Sequence, residues 1–368
     1  MLLCLSLLAA ALSFAPGDIH LACDQGDVTR VKRLLGENPK LANERHPEGA
    51  TPLYLAARGG FDEVVQILLD AKADPNLAVS GRTPLHAAAG SGAKKVVSQL
   101  LAAGAKIDAP DSKMRTSLHE AAWEGHEEVV GLLIQKKANL EAADGDGDTP
   151  LALAVQEGQT EIARRLLEAG AKANIANRVG HTLLHQAAHR GYEELVLLLL
   201  AKKADVDAKS KRGETPLFSA VAGEQAKCVA ALLAAKAEPN LATDKEMLAP
   251  LHAACQLKLD EIVDLLLADS RTKLDQPDAD GWSPLHFAAN GDSASIVAAL
   301  LAKKAKVNAV DAEQNTPLHL AAESAGETVV SALLAAGADP QAKDKGGKTP
   351  LERAKAMDNS AAIKALTR

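Results

Sequence analysis

Aromatic residues are nearly absent from this chain: they make up 2% of its 368 residues, although 47% are hydrophobic. Globular cores usually take their largest fillers from Phe, Tyr and Trp. Their scarcity excludes an ordinary layered core and points to small helices packed closely through Ala, Leu and Val. Cysteine is scarce too. Beyond Cys4 in the leader, Cys23, Cys228 and Cys255 form an odd set without disulfide or metal spacing. They stand where sister segments carry Ala or Val, and read as small buried hydrophobes. A basic excess is also missing. The net charge is −7 with both signs interspersed, which argues against a nucleic-acid or anionic-membrane binder. No apolar run reaches the roughly 18 residues that a membrane-spanning helix needs.

Catalytic signatures are lacking in the same way. Asp144-Gly145-Asp146-Gly147-Asp148 opens like a calcium loop, but the sixth and twelfth places hold Thr149 and Val155 instead of Gly and Glu. There is no phosphate-cradling Gly-Lys-Ser/Thr loop, no dinucleotide fingerprint and no serine elbow. An active site needs a supported pocket, and no insertion in the chain offers material to build one. The expectation is therefore a protein without catalytic residues, metal or cofactor.

What the chain does have is self-similarity. Thr51-Pro52-Leu53-Tyr54, Thr83-Pro84-Leu85-His86 and Thr316-Pro317-Leu318-His319 are its clearest copies, and others start at 116, 149, 182, 215, 249, 283 and 349. Counting a first copy near Gly17, eleven repeats follow one another at intervals of 32 to 34 residues. Each part of the repeat has a physical reason. Thr caps a helix through its hydroxyl, and Pro suits the first turn because its missing N–H would be unpaired there. Small residues follow where the helix meets its neighbours. A Gly nine places after the Thr, such as Gly60, Gly92 or Gly125, ends the helix. A second, more apolar helix such as Val64–Leu69 supplies the larger core side chains.

This pattern resembles the ankyrin repeat family, whose Thr-Pro-Leu-His signature and 33-residue period both match. The resemblance covers residues 17–368. It implies an all-α solenoid of helix-turn-helix repeats with projecting hairpin fingers. It also implies that His20, His86, His119, His185, His252, His286 and His319, at the fourth signature place, are hydrogen-bonding struts between repeats. Departures from the pattern are expected to change local geometry. Met114, Met247 and Gln314 replace the finger Gly, and Glu224, Lys258, Asp292 and Ala325 replace the inter-helix Gly. Lys72, Lys137, Lys203, Lys236 and Lys304 stand where a left-handed Gly would close the second helix, at a cost of about 1 kcal/mol each. The last repeat, with Glu352, Arg353 and Lys355 at normally apolar places, reads as a polar cap.

In ankyrin proteins, partners contact the finger tips and the exposed end of the first helix. Mapped onto this chain, those places are Trp123, Glu124, Gln156, Glu157, His189 and Arg190 on helices. The fingers add Arg178, His181, Lys211, Arg212 and Trp282. Trp and Arg are the usual anchors of interface energy. The cluster from Arg178 to Arg212 reads as a basic patch that would favour an acidic partner segment; its alternative is a solvated charged face. The expected function is a monomeric, non-catalytic scaffold that holds a protein partner in the concave groove. A targeting or inhibitory subunit of an enzyme complex is the alternative.

The first residues differ from the rest. Leu2–Leu12 is apolar, small residues end it at Ser13-Phe14-Ala15, and the first Lys or Arg is Arg30. Residues 1–15 therefore read as a signal peptide without a basic n-region, which predicts a periplasmic or secreted protein. A mis-assigned start, and an apolar cap on the first repeat in a cytoplasmic protein, are the other readings.

Overall fold

The computed structural model describes residues 18–368. The leader 1–15, and the first repeat's start at Gly17, lie outside the described residues. Contacts divide the chain into two compact bodies, one ending at Lys172 and the other starting at Ala173. Among the described residues there are twenty-two α-helices and no strand, only two isolated β-bridges, at Val79 with Arg82 and Ala176 with Thr182.

In the N-terminal body the helices alternate as first and second members of pairs. They are α1 (Ile19–Asp24), α2 (Val28–Glu37), α3 (Pro52–Arg58), α4 (Asp62–Asp70) and α5 (Pro84–Gly90), with a short 3-10 turn at Pro39–Asn43. After them come α6 (Lys94–Ala102), α7 (Ser117–Glu124), α8 (Glu127–Gln135), α9 (Pro150–Gln156) and α10 (Thr160–Glu168). The C-terminal body continues the alternation. It holds α11 (Leu183–Arg190), α12 (Glu193–Ala201), α13 (Pro216–Ala222), α14 (Ala226–Ala234), α15 (Pro250–Gln256) and α16 (Asp260–Ala268). Its last six are α17 (Pro284–Asn290), α18 (Ala294–Ala302), α19 (Pro317–Ser324), α20 (Glu327–Ala335), α21 (Pro350–Ala356) and α22 (Ser360–Leu366).

Within each body, first helices pack on first helices and second on second. Alanine makes the first contact close: Ala56, Ala57, Ala88, Ala89, Ala121 and Ala122 are inaccessible to solvent. From α4 to α20 the second helices bury the same three places, Val64, Val65 and Leu68 in α4, then Val96, Val97 and Leu100 in α6. Burying each such side chain stabilises the stack by about 1.5–3 kcal/mol. This is why eight aromatics suffice for 368 residues.

Helix starts follow the signature. The Thr51 hydroxyl accepts the Tyr54 N–H at 3.2 Å, and Thr83 caps α5 with Pro84 next to it. The lysines that close second helices are left-handed as expected, with φ between 62° and 71°. The expected changes at the fingers do not occur. Met114, Met247 and Gln314 keep the left-handed conformation, at φ 63°, 55° and 62°. The Asp or Thr that opens each finger enforces it. The Asp111 carboxylate accepts the N–H groups of Lys113 and Arg115 at 2.8 and 2.9 Å, and Asp311 does the same for Glu313 and Asn315. Thr243 accepts the Leu248 N–H at 3.1 Å. Three of the four inter-helix replacements also leave the turn as it was, with Glu224, Lys258 and Asp292 at φ 55–60°. Ala325 alone departs. Here α19 runs to Ser324, Ala325 is extended and buried, and the Asp292 carboxylate accepts the Gly326 N–H at 2.9 Å.

Candidate partner-binding face

The struts set the spacing between repeats. In α5, His86 Nδ1 accepts the Thr83 N–H at 3.1 Å, and its Nε2 faces the Arg115 carbonyl at 2.9 Å. A backbone N–H only donates and a carbonyl only accepts, so the ring is the neutral Nε2–H tautomer. The same pair of bonds recurs for His119 with Asp148, His185 with Glu214, His286 with Asn315 and His319 with Lys348. His252 reaches Gln276 at 2.7 Å instead, and His20 reaches Glu44 at 3.1 Å. Burial holds His86, His119, His185, His252, His286 and His319 below the usual imidazole range.

These bonds fix where each finger starts, and the fingers are tied to each other. Gly145 donates its N–H to Lys113 at 2.7 Å, and Lys211, Asp244, Ala279, Ala312 and Lys345 each donate likewise to the finger before. The candidate face combines these fingers with the ends of the first helices.

In the N-terminal body this face is charged and mostly satisfied from within. Arg58 donates to Asp24 at 2.6 Å, and Arg82 donates to the buried Glu120 at 2.7 Å. Trp123 is half-buried under the Arg115 guanidinium, 5.3 Å from its ring centre, while Arg115 also donates to Asp144 at 3.3 Å. Gln156 donates to Asp148 at 2.9 Å. Burial, with Glu120 as like-charged neighbour, raises the Glu124 carboxyl above its ordinary range. Glu157 is exposed.

In the C-terminal body the fingers carrying Arg178 and His181, and Lys211 and Arg212, meet through the Lys211 N–H and the Val179 carbonyl at 3.0 Å. Arg178, His189, Arg190, Lys211 and Arg212 are exposed. The patch contains an acid: His181 lies 2.7 Å from the Glu214 carboxylate and stacks on His185 at 5.3 Å. His189 is 3.3 Å from the Ser219 carbonyl. Trp282, from a different finger, packs edge-on against Phe287 at 5.1 Å and tilts over His286 at 6.3 Å.

Sequence reasoning missed several residues of this face. Phe287 occupies the fifth signature place, where buried Leu or Ala is usual, and is half-buried; its bulk at a small-residue place was the available signal. The pairing of Arg82 with Glu120 joins residues 38 positions apart, a separation that no sequence spacing marks. The described thiols, Cys23, Cys228 and Cys255, are buried, and burial pushes Cys228 up to about 11. Among the described residues no group of His, Cys, Asp and Glu is arranged to hold a metal, and no helix is long and apolar enough to cross a membrane.

Comparison with known proteins agrees with this geometry. The family model described as ankyrin repeats (3 copies) matches residues 19–111, 111–177, 184–278 and 251–344. The chain is 36% identical over 58 residues to human NAD-capped RNA hydrolase NUDT12, which is 16% of this chain and 13% of that protein. The Macaca fascicularis protein of that name matches equally. Human transient receptor potential cation channel subfamily A member 1 is 43% identical over 53 residues, 14% of this chain and 5% of the channel. The chain thus matches only a small part of these curated relatives.

Proposed function

Because this chain belongs to the ankyrin repeat family, whose repeats generally mediate protein–protein interaction, we propose that it is a non-catalytic scaffold that holds a protein partner on its fingers and first helices. Ankyrin repeat proteins are generally non-catalytic, and the short match to a hydrolase carries no enzymatic reading. The observation that carries the proposal is the construction of the face. Struts and finger-to-finger bonds hold it rigid, so little entropy is lost when a partner docks.

The contact residues proposed are Trp123, Glu124, Gln156 and Glu157 in the N-terminal body. In the C-terminal body they are Arg178, His181, His189, Arg190, Lys211, Arg212 and Trp282. In the proposal the apolar leader exports the chain and the protein acts as a monomer. Sequencing the N-terminus of the protein isolated from its host tests export, and a chain that begins at Met1 refutes it.

Capture from the native compartment supplies the partner for the main test. Trp123→Ala combined with Arg190→Ala is expected to weaken that partner's binding at least about tenfold, roughly 1.4 kcal/mol, with the melting transition unchanged. A lowered melting transition with unaltered affinity would mean that both side chains belong to the stack.

A further inference from the structure

Three consecutive first helices of the C-terminal body, α13, α15 and α17, contain no Asp, Glu, Lys or Arg. Their neighbours differ: α11 ends in Arg190, α19 carries Glu323 and α21 carries Glu352 and Arg353. The uncharged block also holds three of the chain's eight aromatics. Phe218 and Phe287 are half-buried on α13 and α17, and Trp282 lies edge-on against Phe287 at 5.1 Å. Phe287 in turn meets the strut His252 of α15 edge-on at 5.8 Å. Leu248 is half-buried just before the residue that caps α15, the place Trp282 takes before α17, and Met247 beside it is 46% exposed. Leu257, at the far end of α15, is 45% exposed.

A lone exposed Leu needs no explanation. An apolar ledge built on the Trp282–Phe287–His252 contacts does, since apolar surface of this kind marks contact sites. Met247 adds to the argument. It holds a left-handed φ of 55° that costs a side-chain-bearing residue about 1 kcal/mol, and it holds an apolar side chain in water as well. The finger before α13 carries Lys211 and Arg212, whereas the fingers before α15 and α17 are acidic. Asp244, Glu246 and Asp280 are exposed there with Lys245 as the one cation among them, and the Ala279 N–H donates to Glu246 at 3.0 Å, bringing the fingers of Glu246 and Asp280 together.

We propose that this ledge is the anchor site for a basic–apolar peptide segment of the partner. A large apolar side chain of that segment lies against Trp282 and Phe287, and a flanking Lys or Arg meets Glu246 and Asp280. The inference rests on the scaffold reading and names the chemistry of its ligand. It differs from the acidic partner expected from the basic patch, because the uncharged helices and the acidic fingers are complementary to the opposite charge.

The test uses the full chain as bait for a displayed library of short random peptides. Enriched peptides are expected to pair a large apolar residue with Lys or Arg. Trp282→Ala with Phe287→Leu is expected to weaken them at least about thirtyfold, with the helical circular-dichroism signal retained. If that variant fails to fold, Glu246→Lys with Asp280→Lys alters exposed positions only, and is expected to weaken the same peptides about tenfold and to flatten their salt dependence. Acidic or purely polar enriched peptides would overturn the inference. So would peptides indifferent to these substitutions but sensitive to Trp123→Ala, which would leave the scaffold reading standing. A library that yields no binder would overturn both.

Discussion

Acid should unfold this protein through its struts, and its two bodies should differ in sensitivity. His86, His119, His185, His252, His286 and His319 each accept an N–H at Nδ1, so protonation removes an acceptor and places a charge in a desolvated site. The folded chain holds these rings below the ordinary imidazole pKa of about 6.5, so the unfolded chain binds more protons as pH falls through that value. Stability is therefore fully present above about pH 6.5 and is lost from there down toward the folded values. A ring that stays neutral in the fold removes at most about 1.4 kcal/mol between about pH 7.5 and 5.5. The N-terminal body has two such rings, His86 and His119, and the C-terminal body has four, His185, His252, His286 and His319. The upper bounds are then about 3 and about 5.5 kcal/mol.

The two tryptophans allow each body to be read by itself. Trp282→Phe leaves Trp123 to report the N-terminal body, and Trp123→Phe leaves Trp282 to report the other. Urea titrations followed by fluorescence should show both midpoints falling as pH drops, with the larger fall for Trp282. Equal falls, or midpoints that do not move between these pH values, would refute the assignment of the struts as the acid-labile joints.

Four further outcomes follow from the geometry. Ala249 stands where other repeats cap the first helix with Thr or Ser, so Ala249→Thr should stabilise the chain by about 1 kcal/mol in urea titration. Lys304, left-handed at φ 68°, should gain about 1 kcal/mol on replacement by Gly, whereas the already right-handed Lys303 should lose stability on the same change. Arg82→Ala leaves the buried Glu120 without its cation and should cost about 1–3 kcal/mol, of which Arg82→Ala with Glu120→Ala should recover part. Cys23, Cys228 and Cys255 should resist thiol reagents until the chain is denatured, since burial keeps them protonated.

The repeat was legible in the sequence because each of its steps is local chemistry. Thr and Pro start a helix, and a left-handed residue ends one. The struts were legible only through the family resemblance, since the acceptor carbonyl lies 29 residues beyond most of them. Met114, Met247 and Gln314 were read as altered turns because Gly was taken to set the finger. The side-chain acceptors of Asp111, Thr243 and Asp311 set it instead, and they hold any residue in place. Pairings across the face, such as Arg115 over Trp123 or His181 beside Glu214, depend on side-chain reach between elements. Neither spacing nor composition records that reach.

One property of the struts bears on how such a chain can change over time. His86, His119, His185, His286 and His319 each grip the main chain of the residue just before the next helix cap. Those residues are Arg115, Asp148, Glu214, Asn315 and Lys348, and except for the buried Asn315 their side chains reach the surface of the fingers. A carbonyl is the same whatever side chain it accompanies. Mutation can therefore rewrite what the surface recognises, one residue at a time, while the joint beneath stays intact. New specificity can be tried without putting the stack at risk.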